Sequence, residues 1–276
     1  MNKKSLKSVF MVDTCPCGLY VFNDMVKSRE HDRYVYFSDY ASNPLGTKPA
    51  SEIESLVKEW LKIPSVLGMT EGAETFVSCN TASIALSKSD FDEDDVYTTV
   101  EGMKILARKA AQEDVTAAVV LGTKYTVNSG KYAEILQSEG IERVKGVAGT
   151  NLERVIAAGD FDNRQMVKEA MLEDTGGADL FNEKFVMILS CSCFEYAKDV
   201  LSELYPQAVF LNPVRNIIGI SEERTNDAQG KRDDVSIIFS GDENRRKSIL
   251  KFVGFHKMEC RILHISELNK HRPDGP

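Results

Sequence analysis

Short runs of branched and aromatic residues alternate along this chain with segments whose apolar residues recur every three or four positions. The runs predict strands at Ser8–Val12, Tyr34–Phe37, Thr75–Ser78, Ala117–Leu121, Val144–Val147, Phe185–Leu189, Ala208–Leu211 and Val235–Phe239. Between them, residues 53–61 set Ile53, Leu56, Val57, Trp60 and Leu61 on one helical face, and 102–109, 132–139 and 196–204 read the same way. Such alternation predicts an α/β fold of βαβ units, with mainly parallel sheets and helices on both faces. No short repeat or low-complexity tract interrupts it. The acidic stretch 90–95 reads as a solvated linker, and the last dozen residues read as a frayed tail.

The polar residues between these elements carry the functional signal. In open parallel sheets, ligands bind beyond the carboxyl ends of the strands. Asp13-Thr14-Cys15 follows the first predicted strand, Cys79-Asn80-Thr81 the third, Gly122-Thr123 the fourth and Cys191-Ser192-Cys193 the sixth. Four polar clusters, three with cysteine, are therefore expected to converge on one crevice.

Charge narrows the partners. The 276 residues hold 34 basic and 42 acidic side chains, a net charge of −8, which argues against a nucleic-acid footprint. No apolar run approaches the ~20 residues of a membrane span, and the N-terminus lacks the apolar stretch of a signal peptide. A cytoplasmic location is expected, where the six cysteines would stay reduced and need another explanation than disulfides.

Cys79 and Cys191 each stand between a predicted strand and a helix. A helix N-terminus favours negative charge, so both thiols are expected to have lowered pKa values. Asn80 and Thr81 could cap the helix and help hold a carboxylate. Two thiols facing each other across a cleft suit one reaction in particular. One removes a proton from carbon and the other returns a proton to the opposite face, which is racemisation without a cofactor. A lone buried cysteine would by contrast be an inert small hydrophobe.

Five segments, in order and spacing, resemble the glutamate racemases of the aspartate/glutamate racemase superfamily. Tyr36-Phe37-Ser38-Asp39 with Pro44-Leu45-Gly46-Thr47-Lys48 is similar to that family's Y-F-G-D and P-Y-G-T-K, and Ser78-Cys79-Asn80-Thr81-Ala82 to its A-C-N-T-A. Gly122-Thr123 with Thr126, Ser129 and Tyr132 follows G-T-x-x-T-x-x-S-x-x-Y, Ser190-Cys191-Ser192 stands where G-C-T-H belongs, and Phe239-Ser240-Gly241-Asp242 resembles the closing strand. The resemblance implies two similar α/β domains facing each other across a cleft. It divides the chain into residues 1–98 plus 209–262, residues 99–208, and a tail from 263. It implies that Cys79 and Cys191 are the paired acid and base, with Asp13 assisting near Cys79. Substrate would be held by Asp13, Thr14, Asn80, Thr81, Thr123, Ser192 and Cys193, and by the backbone at Leu45 and Gly46. Family members act on glutamate, supply D-glutamate for peptidoglycan, need neither metal nor pyridoxal phosphate, and are usually homodimers.

The departures from the pattern all fall in the site. The family's D-S-G-V-G-G is here Asp13-Thr14-Cys15-Pro16-Cys17-Gly18, so two glycines are cysteines. The histidine of G-C-T-H is Cys193, the tyrosine of P-Y-G is Leu45, and an arginine nearby is Ser42. Three thiols are thus added, and Cys15, Cys17, Cys79, Cys191 and Cys193 form an alternative ligand set for zinc or an iron–sulfur cluster, with a different activity on the same fold. A non-catalytic amino-acid-binding relative is a further alternative. Cys260 has no evident role.

Overall fold

The computed structural model describes residues 8–28, 31, 33–69, 73–88, 95–112, 115–177, 179–217 and 234–270. Among them are ten strands: β1 Ser8–Asp13, β2 Arg33–Ser38, β3 Ala73–Val77, β4 Val96–Thr98, β5 Ala117–Gly122, β6 Arg143–Ala148, β7 Phe185–Ser190, β8 Ala208–Leu211, β9 Val235–Phe239 and β10 Arg261–His264. They form two parallel sheets, ordered β10-β9-β2-β1-β3-β4 and β6-β5-β7-β8. Strands β1, β5 and β7 are buried along their whole length, as parallel strands covered on both faces must be.

The predicted α/β class and all eight predicted strands are present. Two strands were not foreseen. Strand β4 is a three-residue edge strand, and β10 is an edge strand of four residues, too short to show a period. The helix expected from Tyr196 begins at Lys198, because Ser192–Ala197 takes a tighter 3-10 turn first. The boundary expected after residue 208 falls inside β8, which pairs with β7 in the second sheet. The tail expected from residue 263 begins inside β10, which pairs with β9. Most of the acidic stretch 90–95 and the last residues of the tail, 271–276, lie outside the described residues.

Two side chains from β2 and its end brace the first sheet beneath the site. The Tyr36 hydroxyl donates to the Cys15 carbonyl at 2.7 Å and accepts from the Gly18 N–H at 3.1 Å, which fixes the 15–18 loop. Asp39 accepts from the Trp60 indole at 2.8 Å and from the Ser240 hydroxyl at 2.6 Å, tying helix Ala50–Leu61 and the end of β9 to β2. Its own N–H donates to the Asp13 carbonyl at 2.8 Å. The Y-F-S-D segment thus works as scaffold rather than as a reacting group.

The two sheets share a core. One apolar cluster joins Val9, Tyr20, Phe22 and Phe252 of the first lobe to Leu121, Phe185, Phe194 and Leu201 of the second, and includes Cys15, Cys17, Cys191 and Cys193. The helix Thr99–Ala111 opens on a capping box, Thr98 with Glu101, and lies against the short helix Pro213–Ile217. At that crossing a Cβ on Gly102 would collide with the Pro213 carbonyl oxygen. A backbone oxygen cannot rotate away. Gly102→Ala should therefore lose about 1–2 kcal/mol net, the overpacking outweighing the ~1 kcal/mol of helix propensity gained. Thermal unfolding checks this: a melting temperature a few degrees lower is expected, and an unchanged or higher one would contradict the close crossing.

Candidate active site

The carboxyl ends of β1, β3, β5 and β7 meet in one place. A cavity there is lined by Asp13, Thr14 and Cys15 after β1, Cys79, Asn80 and Thr81 after β3, Thr123 after β5, and Ser190, Cys191 and Ser192 at the end of β7. Leu45 and Gly46 close one side and Glu153 another. Every residue expected at the site from the sequence lines this cavity except Cys17 and Cys193. The free space is about 10 Å³, the room of about one water molecule. A second cavity of about 300 Å³ shares Gly46, Thr123 and Glu153 with the first and carries Lys124, Arg154 and Arg245 on its walls.

Both lobes contribute hydroxyls and amides. Thr81 Oγ1 lies 2.8 Å from Thr123 Oγ1, and Thr123 Oγ1 lies 3.1 Å from Thr126 Oγ1, a chain that crosses from one sheet to the other. Gly46 allows the 45–47 turn to touch this chain, since a Cβ there would meet the Thr123 side chain. The Tyr132 hydroxyl donates to Asn80 Oδ1 at 2.7 Å, which turns the Asn80 amide nitrogen the other way. That nitrogen is buried and has no hydrogen-bond partner. A buried donor left unpaired costs about 1–3 kcal/mol, so it marks a place for an acceptor.

The thiols behave differently from the expectation. Burial, with the charge of Asp13 next, pushes Cys79 well above its ordinary value, although the Ala82 N–H opposes this. At Cys191 a hydrogen bond from the Cys193 thiol pulls downward, but burial and the charge of Glu153 prevail, and the pKa is pushed up to about 11. Desolvation and neighbouring acids outweigh the helix-terminus effect, so both thiols rest protonated. Asp13 is raised as well, by burial and then by Cys15, despite hydrogen bonds from Ser192, Thr14 and Ser78.

Cys15, Cys17 and Cys193 form a separate group. Their sulfurs all lie within 4.8 Å of one another, with Cys193 3.6 Å from Cys15 and 3.1 Å from Cys17. Cys79 and Cys191 are not part of it, so the five cysteines do not make the single ligand set considered from the sequence. His31, His256 and His264 do not line the cavity, and Cys260 stands apart just before β10.

Glu153 was missed. It lies on the helix Thr150–Ala157 that follows β6, on the buried face with Leu152 and Ile156, and is only 9% exposed. A carboxylate on the inward side of an amphipathic helix beyond a strand end was the available signal. Burial and the charge of Cys15 push its pKa up to about 7. The folded chain therefore binds this proton more tightly than the unfolded chain does. The contribution is favourable below the unfolded value, near 4.5, and is lost as pH rises through about 7. The Glu153 contribution to melting temperature should fall away as pH rises from about 4.5 to 7, and Glu153→Gln should flatten that fall. A variant that falls as steeply as the parent would contradict the buried acid.

No family model matches the chain. It is 27% identical over 241 residues to the glutamate racemase of Campylobacter curvus, covering 81% of this chain and 86% of that one. It is 24% identical over 268 residues to the glutamate racemase of Leptospira interrogans serovar Lai, covering 96% and 98%. The chain is glutamate racemase-like. Its fold agrees: the glutamate racemase of Francisella tularensis, solved in complex with D-glutamate, superposes with a TM-score of 0.75 at 17% identity, over 96% of this chain and 99% of that one. Among the described residues, no helix is long and apolar enough to cross a membrane.

Proposed function

We propose that this chain is an amino-acid racemase that interconverts L- and D-glutamate without a cofactor, using Cys79 and Cys191 as the two acid–base groups. The observation that carries this reading is that two protonated thiols, Cys79 from one lobe and Cys191 from the other, line one cavity together with Cys15, several hydroxyls, the Asn80 amide and two carboxyls. The family likeness supports glutamate as substrate, and D-glutamate is the form that peptidoglycan synthesis would consume.

Each thiol has an acid beside it. Asp13 acts on Cys79 and Glu153 acts on Cys191. In one direction, the deprotonated sulfur on one side takes the α-proton while the protonated thiol opposite delivers its own. The two thiols exchange protonation states and the reaction reverses by the same geometry. Because both rest as thiols, one must first give up a proton, and Glu153, beside Cys191 and ionised above about pH 7, is placed to receive it. The unpaired Asn80 amide, together with the hydroxyls of Thr81, Thr123, Thr14 and Ser192, would receive the substrate carboxylates, and Asp13 would face its ammonium group. The backbone at Leu45 and Gly46 would close over the substrate. Cys193 stands in the place of the family's histidine and acts to lower the Cys191 pKa. Lys124, Arg154 and Arg245 on the adjoining cavity would favour approach of an amino acid with two carboxylates and a net negative charge.

The residues assign these roles within one folded chain, and a homodimer is expected only from the likeness to the family. Single substitutions test the mechanism. Cys79→Ser and Cys191→Ser should each lower the racemisation rate, followed by circular dichroism of the amino acid, by about 10²–10⁴-fold without changing the melting temperature by more than a few degrees. Near-normal turnover by either variant would exclude the two-thiol mechanism.

A further inference from the structure

Three thiols at this site, Cys15, Cys17 and Cys193, exchange no proton with the substrate in the proposed reaction, and they lie together. Cys15 follows β1 in the first lobe and opens the Pro16–Gly18 turn, which holds Cys17. Cys193 lies in the turn after β7 in the second lobe. All three are 2% exposed or less, yet Cys15 lines the cavity while Cys17 and Cys193 do not. The contact between them is therefore a contact between lobes, at the base of the cleft.

We propose that Cys15 and Cys193 are a peroxide-sensitive modification site, whose oxidation forms a disulfide that bolts the two lobes together and holds the cleft shut. The chemistry balances. The cavity that Cys15 lines has room for about one water, so hydrogen peroxide, with two oxygens, reaches the Cys15 sulfur as the cleft opens. The Cys15 sulfur attacks one peroxide oxygen, the O–O bond breaks, and water leaves with formation of a sulfenic acid. The Cys193 sulfur, 3.6 Å away, then attacks the Cys15 sulfur, the S–O bond breaks, and a second water leaves. Two thiols and one peroxide give one disulfide and two waters. Cys17, 3.1 Å from Cys193, is placed to exchange into the bond, returning Cys15 to a thiol while the link between lobes persists.

The electrostatics support the order of events. Burial works against ionisation of Cys15, but hydrogen bonds from the Cys17 and Cys193 thiols, the Cys17 N–H and Ser192 hold it well below its ordinary value, so it is the sulfur that attacks. Cys17 is raised by burial and then by Cys15, and Cys193 is raised first by its thiol neighbours Cys15, Cys17 and Cys191 and then by burial. The same surroundings argue against a metal here. The groups that act most strongly on these three sulfurs are one another, Cys191, Ser192 and Asp13, and none is a cation. Three thiolates on a divalent ion would leave a buried negative charge beside Asp13, whereas a disulfide carries none. The 3.1 Å separation is also shorter than the ~3.8 Å sulfur–sulfur edge implied by tetrahedral zinc–thiolate bonds of ~2.3 Å.

The test uses the intact chain, reduced and desalted, then treated with one equivalent of hydrogen peroxide. Free thiols are alkylated and the product is digested without reductant for tandem mass spectrometry. A mass lower by two hydrogens is expected. A peptide bearing Cys193 should be joined to the one bearing Cys15 and Cys17, and dithiothreitol should reverse the link. The linked protein should melt at a higher temperature, and its turnover should fall and recover on reduction. Cys193→Ala should abolish the link between lobes, and the wild-type peptide map stands even if that variant folds poorly. A Cys15–Cys17 bond, a Cys79–Cys191 bond, overoxidised Cys15 without a link, or one equivalent of zinc retained by these thiols would each overturn the proposal. So would a linked protein with unchanged turnover. The link is read by mass, so it holds or fails separately from the racemase reading.

Discussion

The site depends on one constraint: acidic groups packed together out of water, with no base among them. Asp13, Glu153, Cys15, Cys79 and Cys191 line a space of about 10 Å³, and none of the lining residues is basic. Each group opposes the ionisation of the next, so nearly all of them stay protonated, Glu153 only up to about neutral pH. For carbon-acid chemistry this is a useful resting state. A thiol must be available to donate a proton while its opposite number accepts one, and a shared negative charge that moves between partners satisfies both. Cys15 takes the charge most readily of these groups. An acidic substrate entering with its ammonium group would redistribute it.

The scaffold holds these groups in place from below. Tyr36 fixes the loop that carries Cys15 and Cys17, and Asp39 ties β1, β9 and the Ala50–Leu61 helix together without touching the cavity. Between lobes, the Thr81–Thr123–Thr126 hydroxyls meet on one side of the site and the three spare thiols on another. Tyr40 adds a third tie, bonded to the Ala157 carbonyl and to Ser248, with the Arg245 guanidinium over its ring. Opening the cleft for a substrate must break polar contacts that are individually modest, which keeps the closed form favoured without fixing it.

Much of this was legible in the sequence, for physical reasons. Fully buried parallel strands such as Ala117–Gly122 are unbroken apolar runs, so they declare themselves, and the residues just after them are the ones a parallel sheet presents to a ligand. Asp13, Cys79, Thr123 and Cys191 were found that way. Edge strands β4 and β10 are short and half-exposed, so no period reveals them. The thiol pKa values were misjudged because a helix terminus is local and visible in sequence, whereas desolvation and the charges of Asp13 and Glu153 come from tertiary packing. Glu153 was hidden by the same cause: in an amphipathic helix a glutamate reads as solvent-facing until the opposite lobe closes over it. The division of five cysteines into a reacting pair and a cluster of three is likewise a matter of distance that spacing cannot supply.

The central claim is that protons reach the α-carbon from two opposite thiols. It is tested most directly by following L- and D-glutamate separately by NMR in D₂O with the wild-type chain. The account predicts that, early in the reaction from either enantiomer, the product carries deuterium at the α-carbon while recovered substrate keeps its proton. No exchange by folded protein, or deuterium appearing in recovered substrate before any product forms, would contradict it.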